Sequence, residues 1–325
     1  MKAAWYEKNG PARAVLEVGE METPEPGPGE VRVRLYASGV NPSDVKSRRN
    51  RTPIAPRIIP HSDGAGEIDA VGREVPHGRV GERVWVWNGQ WKRPFGTAAQ
   101  FICVPAAQAV PLPAGIDYAT GACLGIPALT AIHAVRQMGA IGGRTLLVTG
   151  AGSCVAYYAV QMAKAAGARV LGTASAPRAA LAREAGADFV IDYKAKDVAR
   201  VVKDLTRGKG VDGIIDMDFS STTSLLREGI VAPHGRIVCY GSNVAGDSPL
   251  PFPGMLWNSL TLQFFLVYEL LPGERSEAIA QLTQMLKDGA LRHMVGARFR
   301  LEEIAEAHEA VEEGAMLGNV VIDVV

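Results

Sequence analysis

Two hydrophobic rhythms divide this chain. Up to about residue 120 apolar positions tend to alternate with polar ones. Val31-Arg32-Val33-Arg34-Leu35-Tyr36-Ala37 follows period two, and a Pro/Gly turn cluster at 24–29 precedes it. Segments 64–72 and 83–87 read as further short strands, and glycines at 64, 66, 72, 78 and 81 suit the bends of a curled β-barrel. From about 120 to 265 the rhythm becomes strand, helix, strand. The pattern predicts helices at 155–166, 179–184, 198–205 and 223–230. It predicts strands at 145–149, 169–173, 189–193, 213–216 and 236–241, the alternation of a doubly wound parallel sheet. Segments 276–287 and 301–313 read as helices and 319–325 as a strand. This last part is expected to pack back on the β-rich first part.

The most informative stretch is 144–178. Thr145-Leu146-Leu147-Val148-Thr149 is a short apolar run suited to a buried parallel strand, and it stops at the small-residue loop Gly150-Ala151-Gly152-Ser153. A helix pattern follows, Gly167 sits at its stop, and Arg169-Val170-Leu171-Gly172-Thr173 returns as the next strand. Such a loop lets backbone N–H groups and a helix N-terminus approach a pyrophosphate. The glycine pattern is irregular: Gly150, Gly152 and Ala156, or Gly150, Ser153 and Ala156, approximate the dinucleotide signature. An ordinary βαβ crossover is the alternative; the strand–loop–helix context favours dinucleotide binding. After the second strand comes Thr173-Ala174-Ser175-Ala176-Pro177-Arg178, with no carboxylate before Glu184. An NAD ribose usually meets Asp or Glu there, whereas a 2′-phosphate wants hydroxyls and cations. Ser175 and Arg178 therefore point to NADPH, against the plainer reading of Arg178 as a solvated helix cap.

Composition narrows the classes. A chain of 325 residues suits two domains, and 47% apolar content is that of a globular protein. With 34 basic and 34 acidic residues there is no electrostatic case for nucleic acid or an anionic membrane. Cys103, Cys123, Cys154 and Cys239 lack C-x-x-C spacing, which argues against a zinc ribbon or disulfide framework and fits a reducing compartment. With no signal peptide or spanning segment in evidence, the expectation is a soluble, cytoplasmic protein.

Several further stretches carry a resemblance over essentially the whole chain. They are Ala37-Ser38-Gly39-Val40-Asn41-Pro42-Ser43-Asp44, Asp63-Gly64-Ala65-Gly66 through Val71-Gly72, and Gly81-Glu82-Arg83-Val84. Gly125-Ile126-Pro127-Ala128-Leu129-Thr130-Ala131 and Gly186-Ala187-Asp188 through Tyr193 add to them. Together they resemble the zinc-independent quinone oxidoreductases, the zeta-crystallin-like branch of the medium-chain dehydrogenase/reductase superfamily. The resemblance implies an α/β fold with a GroES-like β-barrel domain (1–120 and 267–325) around a Rossmann domain (121–266).

The resemblance also places Asn41, Ser62 and Ile126 where zinc-dependent relatives carry Cys, His and Cys. An amide, a hydroxyl and an alkyl chain do not replace those ligands, His61 is one residue off register, and the four-cysteine structural lobe is missing; no metal is expected. It implies Asn41 near the nicotinamide, donating to a developing oxyanion or else serving as a turn residue before Pro42, and Asp44 beside it, more as a helix cap than a proton relay. The Tyr that many relatives carry after this motif is absent from Val45-Lys46-Ser47-Arg48-Arg49-Asn50-Arg51-Thr52-Pro53. Lys46 is then the nearest titratable group, and Arg48, Arg49, Arg51 and Arg57 read as a solvated run or a steering field for an anionic substrate.

For the cofactor the resemblance implies Thr130 at the nicotinamide side and Gly150, Ala151, Gly152, Ser153, Cys154 and Val155 at the pyrophosphate. It implies Ser175 and Arg178 at the 2′-phosphate, Tyr193 at the adenosine, and Tyr240, Gly241, Ser242 and Asn319 around the nicotinamide. Ser153 and Cys154 replace glycines and must point away from the phosphates; Gly314 stands where some relatives carry arginine. A thiol at a helix N-terminus could have a lowered pKa, although Cys154 reads more as a packed, inert one. Segment 260–267 reads as a buried or edge strand, and its counterpart in this superfamily pairs across a two-fold axis, which implies a homodimer.

The function these readings define is an NADPH-dependent, metal-free reductase of a quinone or other α,β-unsaturated carbonyl. A conjugated acceptor needs a Lewis acid less than an isolated carbonyl does. A 2-enoyl thioester reductase and a non-catalytic NADPH-binding protein are the alternatives.

Overall fold

In the computed structural model, which describes residues 1–244, 246–314 and 316–325, the period-two segments become strands. In chain order these are β1 (Lys2–Trp5), β2 (Glu17–Glu20), β3 (Glu30–Val40), β4 (Asp63–Val71), β5 (Arg83–Val86), β6 (Phe101–Pro105) and β7 (Ala109–Pro111). Short helices α1 (Ala12–Val15), α2 (Pro42–Asn50) and α3 (Tyr118–Gly121) lie among them. β3 organises this region, because Val31, Val33 and Leu35 point inward and are fully buried with Val84, Ile102 and Val104. Its outward Arg32 pairs with Asp69 at 3.0 Å and lies over the Phe101 ring. β3 runs antiparallel to β4 along one edge and to β6 at the start of the other. At its far end the chain turns at Asn41, which is extended, and enters α2 with Pro42 at the first helical position. Pro42 lacks only an N–H that the first turn leaves unbonded anyway.

The alternating region gives α4 (Leu129–Gln137), β8 (Thr145–Val148), α5 (Cys154–Ala165), β9 (Arg169–Ala174), α6 (Ala179–Glu184), β10 (Phe189–Asp192) and α7 (Val198–Leu205). Then follow β11 (Val211–Asp216), α8 (Phe219–Arg227), β12 (Val231–Cys239), α9 (Phe252–Trp257), β13 (Thr261–Phe264) and α10 (Pro272–Lys287). The sheet order is β10-β9-β8-β11-β12-β13 and every pairing is parallel. Strand order reverses between β8 and β11, the point at which open α/β sheets bind ligands.

Two expected elements shift. The helix placed at 223–230 starts earlier, at Phe219, because Asp218 O takes the first-turn amides of Ser221 and Thr222. It ends at Arg227, because Gly229 turns left-handed (φ 65°) and sends the chain into β12 five residues before the strand placed at 236–241. The helix placed at 276–287 begins at Pro272. Its opening part belongs with the alternating region, where Glu274, Glu277 and Gln281 bond to Gln137 and Arg136 of α4.

The chain then returns to the first region through β14 (Val295–Arg300), α11 (Ile304–Glu313) and β15 (Asn319–Asp323). β15 pairs antiparallel with the end of β3, Val320 opposite Val40, and β14 runs parallel to β15. The compact units are therefore Met1–Pro127 with Thr283–Val325, and Ala128–Leu282. No helix among the described residues is long and apolar enough to cross a membrane.

Candidate active site

In the Ala128–Leu282 unit the glycine loop follows β8 at the reversal of strand order. Thr149 Oγ1 donates to the fully buried Asp216 at 2.9 Å and accepts from Met217 N at 2.9 Å, tying the ends of β8 and β11 together. Burial pushes the Asp216 carboxyl up, against the hydroxyl and amide donors that favour its charge. Gly150 sits at φ 61° beneath the Met217 thioether, so any side chain there would meet both backbone strain and Sδ. Gly152 lies against the backbone of Arg178.

The loop's amides have different partners. Gly150 N donates to Thr173 Oγ1 at 3.0 Å, Ala151 N to Thr173 O at 2.7 Å, and Ser153 N to Gly150 O at 2.8 Å. Those groups shape the turn. Ser153 is the N-cap of α5 and makes no side-chain bond to its first turn, so the amides from Cys154 onward meet no capping side chain. An anion suits such an end, and this donor arrangement fits a dinucleotide pyrophosphate. Ser153 Oγ points to Met217 Sδ at 3.7 Å. Desolvation pushes the Cys154 thiol up to about 11, outweighing Arg178 and the helix end, so the lowered pKa considered from the sequence does not arise.

Beyond the loop, Ser175 ends β9 in an extended conformation and its carbonyl accepts Arg178 N at 2.9 Å, so the two side chains leave one turn. Arg178 Nη1 also donates to Gly152 O at 3.3 Å. Tyr193 follows β10, which pairs with β9, and its ring is half exposed. Thr130 is buried on α4. Tyr240 N donates to Asp216 O at 3.0 Å, Gly241 O accepts from Phe219 N at 3.0 Å, and Ser242 Oγ donates to Val244 O at 2.9 Å. The Tyr240 hydroxyl is buried without a hydrogen-bond partner, and burial pushes its pKa well up.

The other unit brings Asn41 and Asp44 together with Asp63, which the sequence reading did not single out. Asn41 N donates to Asp44 Oδ2 at 2.7 Å and Asn41 Nδ2 to Asp63 Oδ2 at 2.9 Å. Asp63 Oδ2 also takes Ile126 N at 2.9 Å. Burial pushes Asp44 up to about 7 and Asp63 well above the usual carboxylate range, although the Asn41 and Ile126 donors oppose the shift. The signal for Asp63 was a carboxylate opening a buried Gly-Ala-Gly strand, where nothing but a hydrogen-bonding duty accounts for it. His61, at φ 76°, is fully buried against His308 of α11. That partner too was legible only as a histidine on the face carrying Ile304, Ala307 and Val311. Asn319 lies at the start of β15, where its amide and backbone N–H both donate to Met294 O.

The basic run is not wholly solvated. Arg48 is fully buried and ion-paired to Glu312, which also takes Arg49 at 2.8 Å. Arg57 pairs with Glu7 at 2.9 Å and Arg51 lies over Trp91. Lys46 is exposed. At the three positions aligned with zinc ligands, the Asn41 amide is bonded to Asp63, Ser62 offers a hydroxyl and Ile126 an alkyl chain. That donor set does not fit zinc.

Residues 27–114 match the family model described as alcohol dehydrogenase GroES-like domain, and 185–322 the one described as zinc-binding dehydrogenase. A quinone oxidoreductase of Pseudomonas aeruginosa is 36% identical over 323 residues, 95% of either chain. Among solved structures, an NAD-dependent alcohol dehydrogenase superposes with TM-score 0.90 at 29% identity, covering 100% of both chains. A mycobacterial protein complexed with NADPH gives 0.88 at 26%, again covering 100% of both. The fold is thus that of a medium-chain dehydrogenase/reductase, an oxidoreductase with GroES-like and Rossmann parts. Within that superfamily the chain belongs to the quinone oxidoreductase branch.

Proposed function

We propose that this enzyme is an NADPH-dependent, metal-free reductase of quinones and related α,β-unsaturated carbonyls. The observation that carries the reading is the Asn41 amide, bonded to a buried carboxyl at a position where zinc-dependent relatives place a thiolate. Nicotinamide supplies a hydride when bound. The chain's part is to hold the dinucleotide at the α5 N-terminus, to receive its 2′-phosphate at Ser175 and Arg178, and to present an amide N–H of Asn41 to the acceptor's oxygen. A conjugated acceptor spreads the negative charge it gains, so hydrogen bonding can replace a Lewis acid. The NADPH preference is supported by the Ser175–Arg178 turn and by the NADPH complex of the mycobacterial neighbour. A homodimer through the outer edge of β13 fits the same reading, because Phe264 on that strand is 57% exposed.

Parallel assays of NADPH and NADH oxidation test it, with a small quinone, an enone and an enoyl-CoA, each with and without a chelator. Chelator-insensitive turnover that prefers NADPH and the quinone or enone is expected. Exclusive enoyl-CoA turnover, or saturable NADPH binding without turnover, overturns it.

A further inference from the structure

Asp63 opens β4 opposite Gly39 of β3, two residues before the chain leaves β3 at Asn41. Its side chain has no exposed surface. One oxygen, Oδ2, receives both Asn41 Nδ2 and Ile126 N at 2.9 Å, while Oδ1 has no hydrogen-bond partner. The backbone is pinned as well, since Thr97 Oγ1 donates to Asp63 O at 2.6 Å. Gly125 closes over the carboxyl: a Cβ there would collide with Asp63 Oδ1. Any side chain at 125 would push the carboxyl aside.

An asparagine amide can sit in either of two orientations, and its surroundings decide which. At Asn41 the inverted amide would set its carbonyl oxygen against Asp63 Oδ2, acceptor against acceptor. The observed orientation commits an N–H to Asp63 and keeps the amide nitrogen as the donor end, beside the Asp44 carboxyl, while the Asn41 side chain also takes the Asp44 amide in a capping box. We infer that Asp63 is the positioning residue of the Asn41 amide, holding its donor end in the orientation that hydride acceptance requires. The inference rests on the reading of Asn41 given above. It concerns orientation and not charge: an acceptor oxygen suffices, so a carboxamide at 63 should serve as well as the carboxyl.

The test is a double-mutant cycle on kcat with NADPH and a small quinone, alongside the NADPH dissociation constant of each variant. Asp63→Ala is expected to lower kcat by about 10- to 100-fold, less than the roughly 100- to 1000-fold lost when a preorganised donor is itself removed, because the Asn41 amide remains but loses its orientation. NADPH affinity should be unchanged. Asp63→Asn should restore kcat to within about threefold, since its carbonyl oxygen can take both amide bonds. Asp63→Glu keeps the charge but moves the acceptor by one methylene, and should fall with Asp63→Ala. In an Asn41→Ala background, Asp63→Ala should add little.

If Asn41→Ala leaves kcat intact, the role read for Asn41 fails and takes this inference with it. If Asn41→Ala lowers kcat but Asp63→Ala does not, the inference alone is overturned. It is overturned equally if Asp63→Ala costs the same in both backgrounds, or if Asp63→Asn fails to rescue. Should Asp63→Ala not fold, the contrast between Asp63→Asn and Asp63→Glu decides by the same criterion.

Discussion

His61 and His308 face each other Nε2 to Nε2 at 2.9 Å, their rings stacked and neither exposed. The neighbouring hydroxyls fix which one donates. Thr97 Oγ1 gives its hydrogen to Asp63 O, so it must accept from Ser38 Oγ at 2.8 Å; Ser38 then accepts from His61 Nδ1 at 2.9 Å. Burial holds His61 neutral, at about 3, so its Nε2 is bare and accepts from His308 Nε2–H. His308 Nδ1 ends the chain as an acceptor without a hydrogen-bond partner. The pair is thus neutral and directional, and His61 lies two residues before Asp63, tied to that residue's carbonyl through Ser38 and Thr97.

Acid stability should reflect two opposed sets of groups. His61 and His308 have depressed pKa values in the folded state, so below about 6.5 the unfolded chain binds protons the native chain does not, and acid destabilises. Asp44 and Asp63 are raised, so between about 4 and 7 the native chain holds protons the unfolded chain releases, and acid stabilises. His133 and His293 add to the first set and Asp216 to the second. Relative to the wild type, His308→Gln should lose less stability on going from pH 6.5 to 5, and Asp44→Asn should lose more, by about 1.4 kcal/mol per pH unit for each proton unbalanced. Urea titrations at several pH values measure both slopes; parallel slopes in the two variants would refute the assignment.

Glu312 holds a fully buried guanidinium. Glu312→Gln would leave Arg48 without its ion pair among the described residues, and should cost on the order of 3–5 kcal/mol, because the charge stays buried. Replacing both, as in Arg48→Met with Glu312→Gln, should recover much of that loss. Equilibrium denaturation of the single and double variants gives the comparison.

At the glycine loop, Gly150→Ala combines left-handed strain with collision against Met217 Sδ. The strain alone is about 1–2 kcal/mol. Dinucleotide affinity should fall by about tenfold or more, while the unit's thermal stability falls only modestly. Calorimetric titration with NADPH checks the first and melting the second. Unchanged affinity would mean that the dinucleotide does not use this turn.

The exposed edge at β13 predicts assembly. Phe264→Glu places a charge on a row of unpaired strand amides and carbonyls and should shift the protein from dimer to monomer in light scattering. A wild-type monomer would dispose of the interface.

The parallel sheet was legible because its strands are continuous apolar runs bounded by glycine, and β-branched residues in such runs have few alternatives. The bounds of α8 were not, since they depend on Asp218 O reaching the first turn and on Gly229 turning left-handed, events of local geometry that periodicity does not encode. Local geometry was legible too, as in the turn that carries Ser175 and Arg178. The site was illegible where partners are distant in sequence. Asn41 and Asp63 meet through strand pairing, His61 and His308 through a helix near the C-terminus, and Arg48 finds Glu312 across most of the chain. A run of arginines carries no mark of which one will be buried.

Cofactor choice is the most direct test of what was legible. Arg178 leaves the turn after β9 beside Ser175, and its guanidinium reaches the carbonyl of Gly152, so it is already held beside the loop expected to meet the pyrophosphate. A charge-assisted bond to a 2′-phosphate contributes about 1.5–3 kcal/mol, and NADH, which lacks that group, gains none of it. Arg178→Ala should therefore lower kcat/KM for NADPH by about 10- to 100-fold and leave NADH nearly unchanged. Ser175→Asp should go further, since a carboxylate repels the phosphate while accepting from the ribose hydroxyls of NADH. Steady-state kinetics with both cofactors measure the ratio. Equal losses for NADPH and NADH would assign Arg178 to bracing Gly152 instead, and the preference would then have to arise elsewhere in the unit.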